Sequence, residues 1–100
     1  MELEELQRQL KEVCVAVTHE ARDSRLTREE VFEYLKIVKS AAQISTGLNQ
    51  RVERIGLEAA KNDIIRFVGV AVNRILAVRQ AVEERESDPL EDAFDIEEDE

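Results

Sequence analysis

The sequence predicts an all-α protein, with three to four helices forming an antiparallel hairpin or bundle that self-associates. Three observations carry this expectation. Apolar residues recur at helical spacing along most of the chain. Three glycines and one proline in 100 residues leave few places for the turns a sheet requires. A helix-capping signal stands at residues 27–30.

The first element is set by Leu3, Leu6, Leu10, Val13 and Val17, whose 3-4-3-4 spacing aligns them on one helical face. Glu4 and Arg8 stand four apart outside that face, in the favourable acid-first order. RDSR at 22–25 interrupts the pattern. Thr27-Arg28-Glu29-Glu30 then fits a capping box, in which the threonine hydroxyl accepts the third helical amide and the glutamate reaches back to the cap. A second helix starts there. It carries two adjoining apolar seams, Val31-Leu35-Val38-Ala42 and Tyr34-Ile37-Ala41-Ile44-Leu48. Together these are wider than one partner helix fills, so this helix should touch at least two neighbours.

Ser45-Thr46-Gly47 is the expected bend and Gly56 the next, with LNQRVERI between them as a short helix. After Leu57, the residues Ile64, Val68, Ala71, Ile75, Val78 and Val82 repeat 4-3-4-3-4, which predicts a long final helix to about Arg85. IIRFVGVAV at 64–72 challenges that assignment, because β-branched residues suit a buried strand. Its flanks, EAAKN and NRILAVRQAVEE, are good helix formers, and a lone strand would have no partner. As a helix the stretch is apolar nearly all round, more than residues 1–82 can surround alone. Copies of the chain are therefore expected to share it through Ile64, Val68, Ala71, Val72 and Ile75, with Gly69 permitting close approach.

Charge divides the molecule. Residues 83–100 hold eleven acids and only Arg85, a net of −10, whereas residues 1–82 hold twelve acids and thirteen bases. The expected organisation is a helical oligomerisation domain at 1–86 and an acidic tail at 87–100. The tail, DPLEDAFDIEEDE from residue 88, cannot bury enough apolar area to fold alone. Leu90, Phe94 and Ile96 nevertheless stand among its acids. Pro89 suits a first helical position, and a helix begun there brings Leu90 and Phe94 together. Burying all three would yield roughly 5–9 kcal/mol before the cost of ordering, enough for a reversible docking segment. A plain solubilising tail is a second reading of the same residues, and a third is a tail that folds back on the basic half of its own oligomer and competes with an anionic ligand there.

The chemistry-bearing residues are sparse. Cys14 is the one cysteine, so no disulfide can form within the chain, and its place in an apolar stripe suits a small buried hydrophobe. No apolar run approaches a membrane span and the N-terminal residues are acidic, which leads to the expectation of a cytoplasmic protein without membrane contact. His19, with Glu20, Asp23 and Cys14 nearby, lacks the four-ligand spacing of a structural metal site. No nucleophile–base pair or glycine-rich phosphate loop is visible, so neither catalysis nor a cofactor or metal is expected. Arg51, Arg54, Lys61 and Arg66 cluster around the bend between helices and are candidates for contact with nucleic acid or another anion. The plainer alternative is a solvated surface with local pairs such as Arg54 with Glu58.

LTREEVFEYLKIVKSAA, then NQRVERIGL, then IIRFVGVAVNRILA, together about residues 26–82, resembles the helical segment of some phage terminase small subunits. Those carry a capped helix, an Arg-bearing turn of the form ER-x-G-L and a second helix. The resemblance implies a non-enzymatic, often ring-shaped oligomer that recognises viral DNA and delivers it to a motor subunit in an infected cell. Arg51 and Arg54 would then sit at the turn and the acidic tail would contact the motor. The chain departs from that family in having no recognisable helix-turn-helix domain before the hairpin, on which specific DNA recognition would rest. Two other functions draw on the same composition. One is an acidic DNA mimic that inhibits a nucleic-acid enzyme, although the acids crowd into the last eighteen residues rather than covering the body. The other is an oligomer that sequesters a small anionic ligand through Lys36, Lys39 or interfacial arginines.

Overall fold

A computed structural model describes the backbone of residues 2–98 and the side chains of residues 3–86. Four helices follow in order: α1 (Glu2–Glu20), α2 (Arg28–Thr46), α3 (Leu48–Ile55) and α4 (Leu57–Glu98), with no strand among the described residues. The all-α expectation therefore holds, and the β-branched run at 64–72 lies in the middle of α4.

α1 buries Leu6, Leu10, Val13 and Val17 and half-buries Leu3, while Arg8 pairs with Glu5 and Glu12 on the outer side. Beyond Glu20 the chain reverses through backbone turns, with Arg22 N–H donating to His19 O at 3.2 Å and Leu26 N–H to Asp23 O at 3.2 Å. The Asp23 carboxylate stiffens this turn by accepting the Arg25 amide at 3.0 Å. The capping box then forms as the sequence predicts: Glu30 N–H donates to Thr27 Oγ1 at 3.1 Å and Thr27 N–H to Glu30 Oε1 at 2.9 Å.

Of the two seams on α2, the one running Tyr34-Ile37-Ala41-Ile44-Leu48 faces the core, with Tyr34, Ala41 and Leu48 fully buried. The other seam is shallower, and Leu35 is exposed along with Phe32 beside it. Gly47 ends α2 by donating its N–H to Gln43 O at 3.1 Å. Gly56 makes the sharper corner into α4. Its φ of 92° lies where a β-carbon is strained, so glycine is required there for α4 to pack back along the bundle.

α1 and α2 run antiparallel, held near one end by Gln7 Nε2 donating to Ser45 O at 3.2 Å and further along by Cys14 near Val38. α4 lies against both. The core has two parts: Leu6, Leu10, Ala41, Leu48, Ala60 and Ile64 towards α3, and Val13, Val17, Tyr34, Ala71, Val78 and Val82 towards the α1–α2 turn. Phe67 and Val68 pack against both parts and join them. The result is a rod of 69 × 19 × 19 Å. The sequence places the end of the last helix near Arg85, but the helical backbone runs to Glu98. Pro89 lies within that span and lacks the N–H that the Arg85 carbonyl would otherwise accept.

Candidate interaction surfaces

α4 presents two different sides. Ala60, Ile64, Ala71, Val78 and Val82 are buried in the chain's own core, and Phe67, Val68 and Ile75 are half-buried against it. One step around the helix, Ile65, Val72 and Leu76 are 53, 46 and 54% exposed. With Gly69 they are spaced 4-3-4, which places all four in one stripe. Of the residues the sequence proposes for contact between copies, Ile64 and Ala71 are therefore internal, Val68 and Ile75 sit at the boundary, and Val72 is open to solvent. A groove of about 220 Å³ between α1 and α4 runs beside the stripe, lined by residues that include Ala16, Val68, Val72 and Ile75. Sequence reasoning missed Ile65 and Leu76. Their 4-3-4 spacing is visible in the sequence, but it runs next to the longer apolar row from Ile64 to Val82, which draws the eye first.

The four basic candidates do not form one patch. Arg51 donates from Nε and Nη2 to Asp63 Oδ2 at 3.1 and 2.7 Å, so its charge is already matched within the chain. Arg51, Asp63 and Arg66 line a separate cavity of about 340 Å³, together with Ile44, Phe67 and Val70. Arg54 and Lys61 lie outside that lining, Arg54 exposed on α3 and Lys61 half-buried on α4. Lys36 and Lys39 are exposed on α2.

A cavity of about 580 Å³ opens at the α1–α2 turn, where that turn meets α4. Its charged groups are ones the sequence did not single out as a pair. Arg79 holds Glu20 through two hydrogen bonds, one of them Nε to Oε1 at 3.1 Å, across 59 residues of chain. That guanidinium is the main reason the Glu20 carboxyl titrates below its usual range. Arg25 donates to Asp23 at 2.9 and 2.7 Å and to Glu86 at 2.9 Å. Its hydrogen bonds pull the Asp23 pKa down to about 2. Just outside the cavity, Arg85 donates to both oxygens of Glu30, at 2.7 and 2.9 Å, and lowers the Glu30 pKa in the same way. The capping glutamate of α2 thus also ties α4 down.

Tyr34 lines the cavity, and its buried hydroxyl has no hydrogen-bond partner among the protein atoms. Burial, reinforced by the Glu20 carboxylate, pushes the phenol pKa up, so the group stays neutral. Glu20 and Asp23 are each held by an arginine, leaving neither arranged as a base beside a nucleophile. The Cys14 thiol is half-buried and lies 3.9 Å from Val38 O. Among the described residues no three His, Cys, Asp or Glu side chains group as metal ligands.

Leu90, Phe94 and Ile96, the proposed docking residues, lie outside the residues whose side chains are described. Among the described residues no helix is long and apolar enough to cross a membrane. Known protein families, curated proteins and solved structures offer no match to this chain.

Proposed function

We propose that this chain is a non-enzymatic helical adaptor that assembles with copies of itself and docks a protein partner through its acidic segment at 87–100. The observation that carries this reading is the stripe on α4, where Ile65, Val72 and Leu76 are all about half exposed along one line of the longest helix. Scattered apolar residues are ordinary on a surface, whereas a contiguous row beside an apolar groove is typical of association faces. The polarised charge adds support for a second partner, since residues 83–100, with a net charge of −10, steer a basic surface towards that end.

Delivery of DNA to a viral packaging motor is the most concrete form of this role, and its support is the sequence pattern of residues 26–82. Exposed Arg54 and Arg66 are available to phosphates, whereas Arg51 would first have to release Asp63. The inhibitory DNA mimic draws no comparable support, because Glu20, Asp23 and Glu30 face arginines of their own chain.

Multi-angle light scattering of the full chain and of a 1–86 truncation tests the reading. The expected result is the same defined oligomer for both, with partner binding confined to the full chain. A monomer for both at every concentration up to the solubility limit would remove it.

A further inference from the structure

We infer that two copies pair through α4 in antiparallel orientation, Ile65 of each facing Leu76 of the other and Gly69 facing Val72. This rests on the self-association proposed above and specifies its geometry. The 4-3-4 spacing of the stripe reads the same in both directions, so a two-fold axis between residues 70 and 71 matches every member to another member. A slip of seven residues either way sets Leu76 against Glu58 or Ile65 against Glu83. Of these registers only the first pairs the four stripe positions with one another, and at the ends of that seam Glu58 of each copy lies opposite Glu83 of the other.

Nothing within the chain packs against Gly69. A β-carbon added there would meet no atom within 4 Å, so internal packing does not call for glycine at a position where it weakens the helix. Opposite Val72 of a second copy, the missing side chain makes room for a branched one.

Charge selects the direction. A parallel pair could also align the four positions, but it would set Gly69 against Gly69 and run two segments of net −10 side by side. The antiparallel pair sends those segments to opposite ends. Each then heads towards the α3–α4 corner of the other copy, where Arg54, Ile55 and Leu57 are exposed.

From residue 65 to residue 76 the helix rises roughly 17 Å, too short a seam by itself for the ~800 Å² per partner of a stable complex. The α1–α4 groove adjoins Val72 and extends the contact to Gln9, Glu12 and Ala16. Pairing is accordingly concentration-dependent.

Cysteine cross-linking decides the matter. In a Cys14→Ser background, Ile65→Cys and Leu76→Cys proteins are oxidised separately and as a mixture, after circular dichroism has verified that each melts cooperatively. Two copies of residue 65 lie roughly 17 Å apart in the antiparallel pair, and a disulfide needs its Cα atoms within about 7 Å. The mixture is expected to give at least ~10-fold more disulfide dimer than either protein alone. Leu76→Glu should convert the oligomer to monomer with its helix content retained, while Leu35→Glu on the exposed side of α2 should not. Self-cross-linking of each single variant would establish a parallel pair and overturn the geometry. So would an absence of cross-links in an oligomer that light scattering still detects, and there self-association itself would stand. A monomer throughout would remove both.

Discussion

Ile64 and Ile65 are neighbours on α4 with opposite surroundings. Ile64 is completely enclosed, packed with Leu6, Leu10, Ala41, Leu48 and Ala60, while Ile65 is half exposed. A rotation of about 100° along the helix separates them. Ile64 belongs to a row that stays apolar from Ala60 to Val82, whereas the row of Ile65 is shorter and is bounded by Glu58 and Glu83. Ala60 and Ala71 on α4 and Ala41 on α2 are all buried in the core on the Ile64 side. The outer row carries Gly69 but has no helix of its own chain opposite it. The inner side is thus committed to folding, and the outer side is left open to solvent.

The largest effect should come from testing that commitment directly. Ile64→Ala removes a fully enclosed side chain and is expected to cost about 2–5 kcal/mol in urea-induced unfolding. Ile65→Ala, measured in dilute solution, should stay within about 0.5 kcal/mol of the parent chain. Comparable losses at the two positions would break the division between the sides.

How much of this was legible in the sequence follows from the range of each interaction. The capping box at Thr27 and Glu30 joins residues three apart, and it formed as expected. The 3-4-3-4 row of α1 also faces the core, because that helix has one apolar side and no competing phase. α4 has two such rows. Choosing between them requires knowing where α1 and α2 lie, which is tertiary information. The same limit applies to Arg79 with Glu20 and Arg85 with Glu30, pairs separated by 59 and 55 residues. The cluster of bases at the bend makes Arg51 a candidate for anion contact, and its pairing with Asp63, twelve residues on, is created only by the turn at Gly56.

Gly69 sharpens the comparison with a smaller effect that has two signs. Alanine there gains about 1 kcal/mol of helix propensity and meets no obstacle within the chain. The dilute protein should therefore melt ~4–8 °C higher by circular dichroism. At concentrations where copies pair, the added methyl would press on Val72 of the other copy, and light scattering should show weaker association. A lower melting point in dilute solution would mean that the outer side is more crowded than its exposure indicates.

The smallest effect concerns the rim of the inner side, where Arg79 holds Glu20, Arg85 holds Glu30, and Arg74 lies 3.7 Å from Glu33. Arg79 and Arg85 hold the Glu20 and Glu30 carboxyls below 4.5, their value without a partner, and Arg25 holds Asp23 at about 2 instead of 3.8. Because the folded values are the lower ones, the unfolded chain binds more protons in acid. The stabilisation is complete above about pH 4.5 and is lost as pH falls through the folded values. The arginines are largely solvated, so screening keeps each pair weak, and added salt should shrink the effect further. Thermal melts between pH 6 and pH 2 should therefore show a decline of a few degrees below pH 4.5. Arg79→Met should flatten part of that decline, since the Glu20 carboxyl would lose its principal partner. Ile65→Ala should leave the slope unchanged, because it alters the row that takes no part in these ion pairs. An equal flattening by both substitutions would mean that acid sensitivity comes from the net charge of the chain and not from the clamps that fix α4 to α1 and α2.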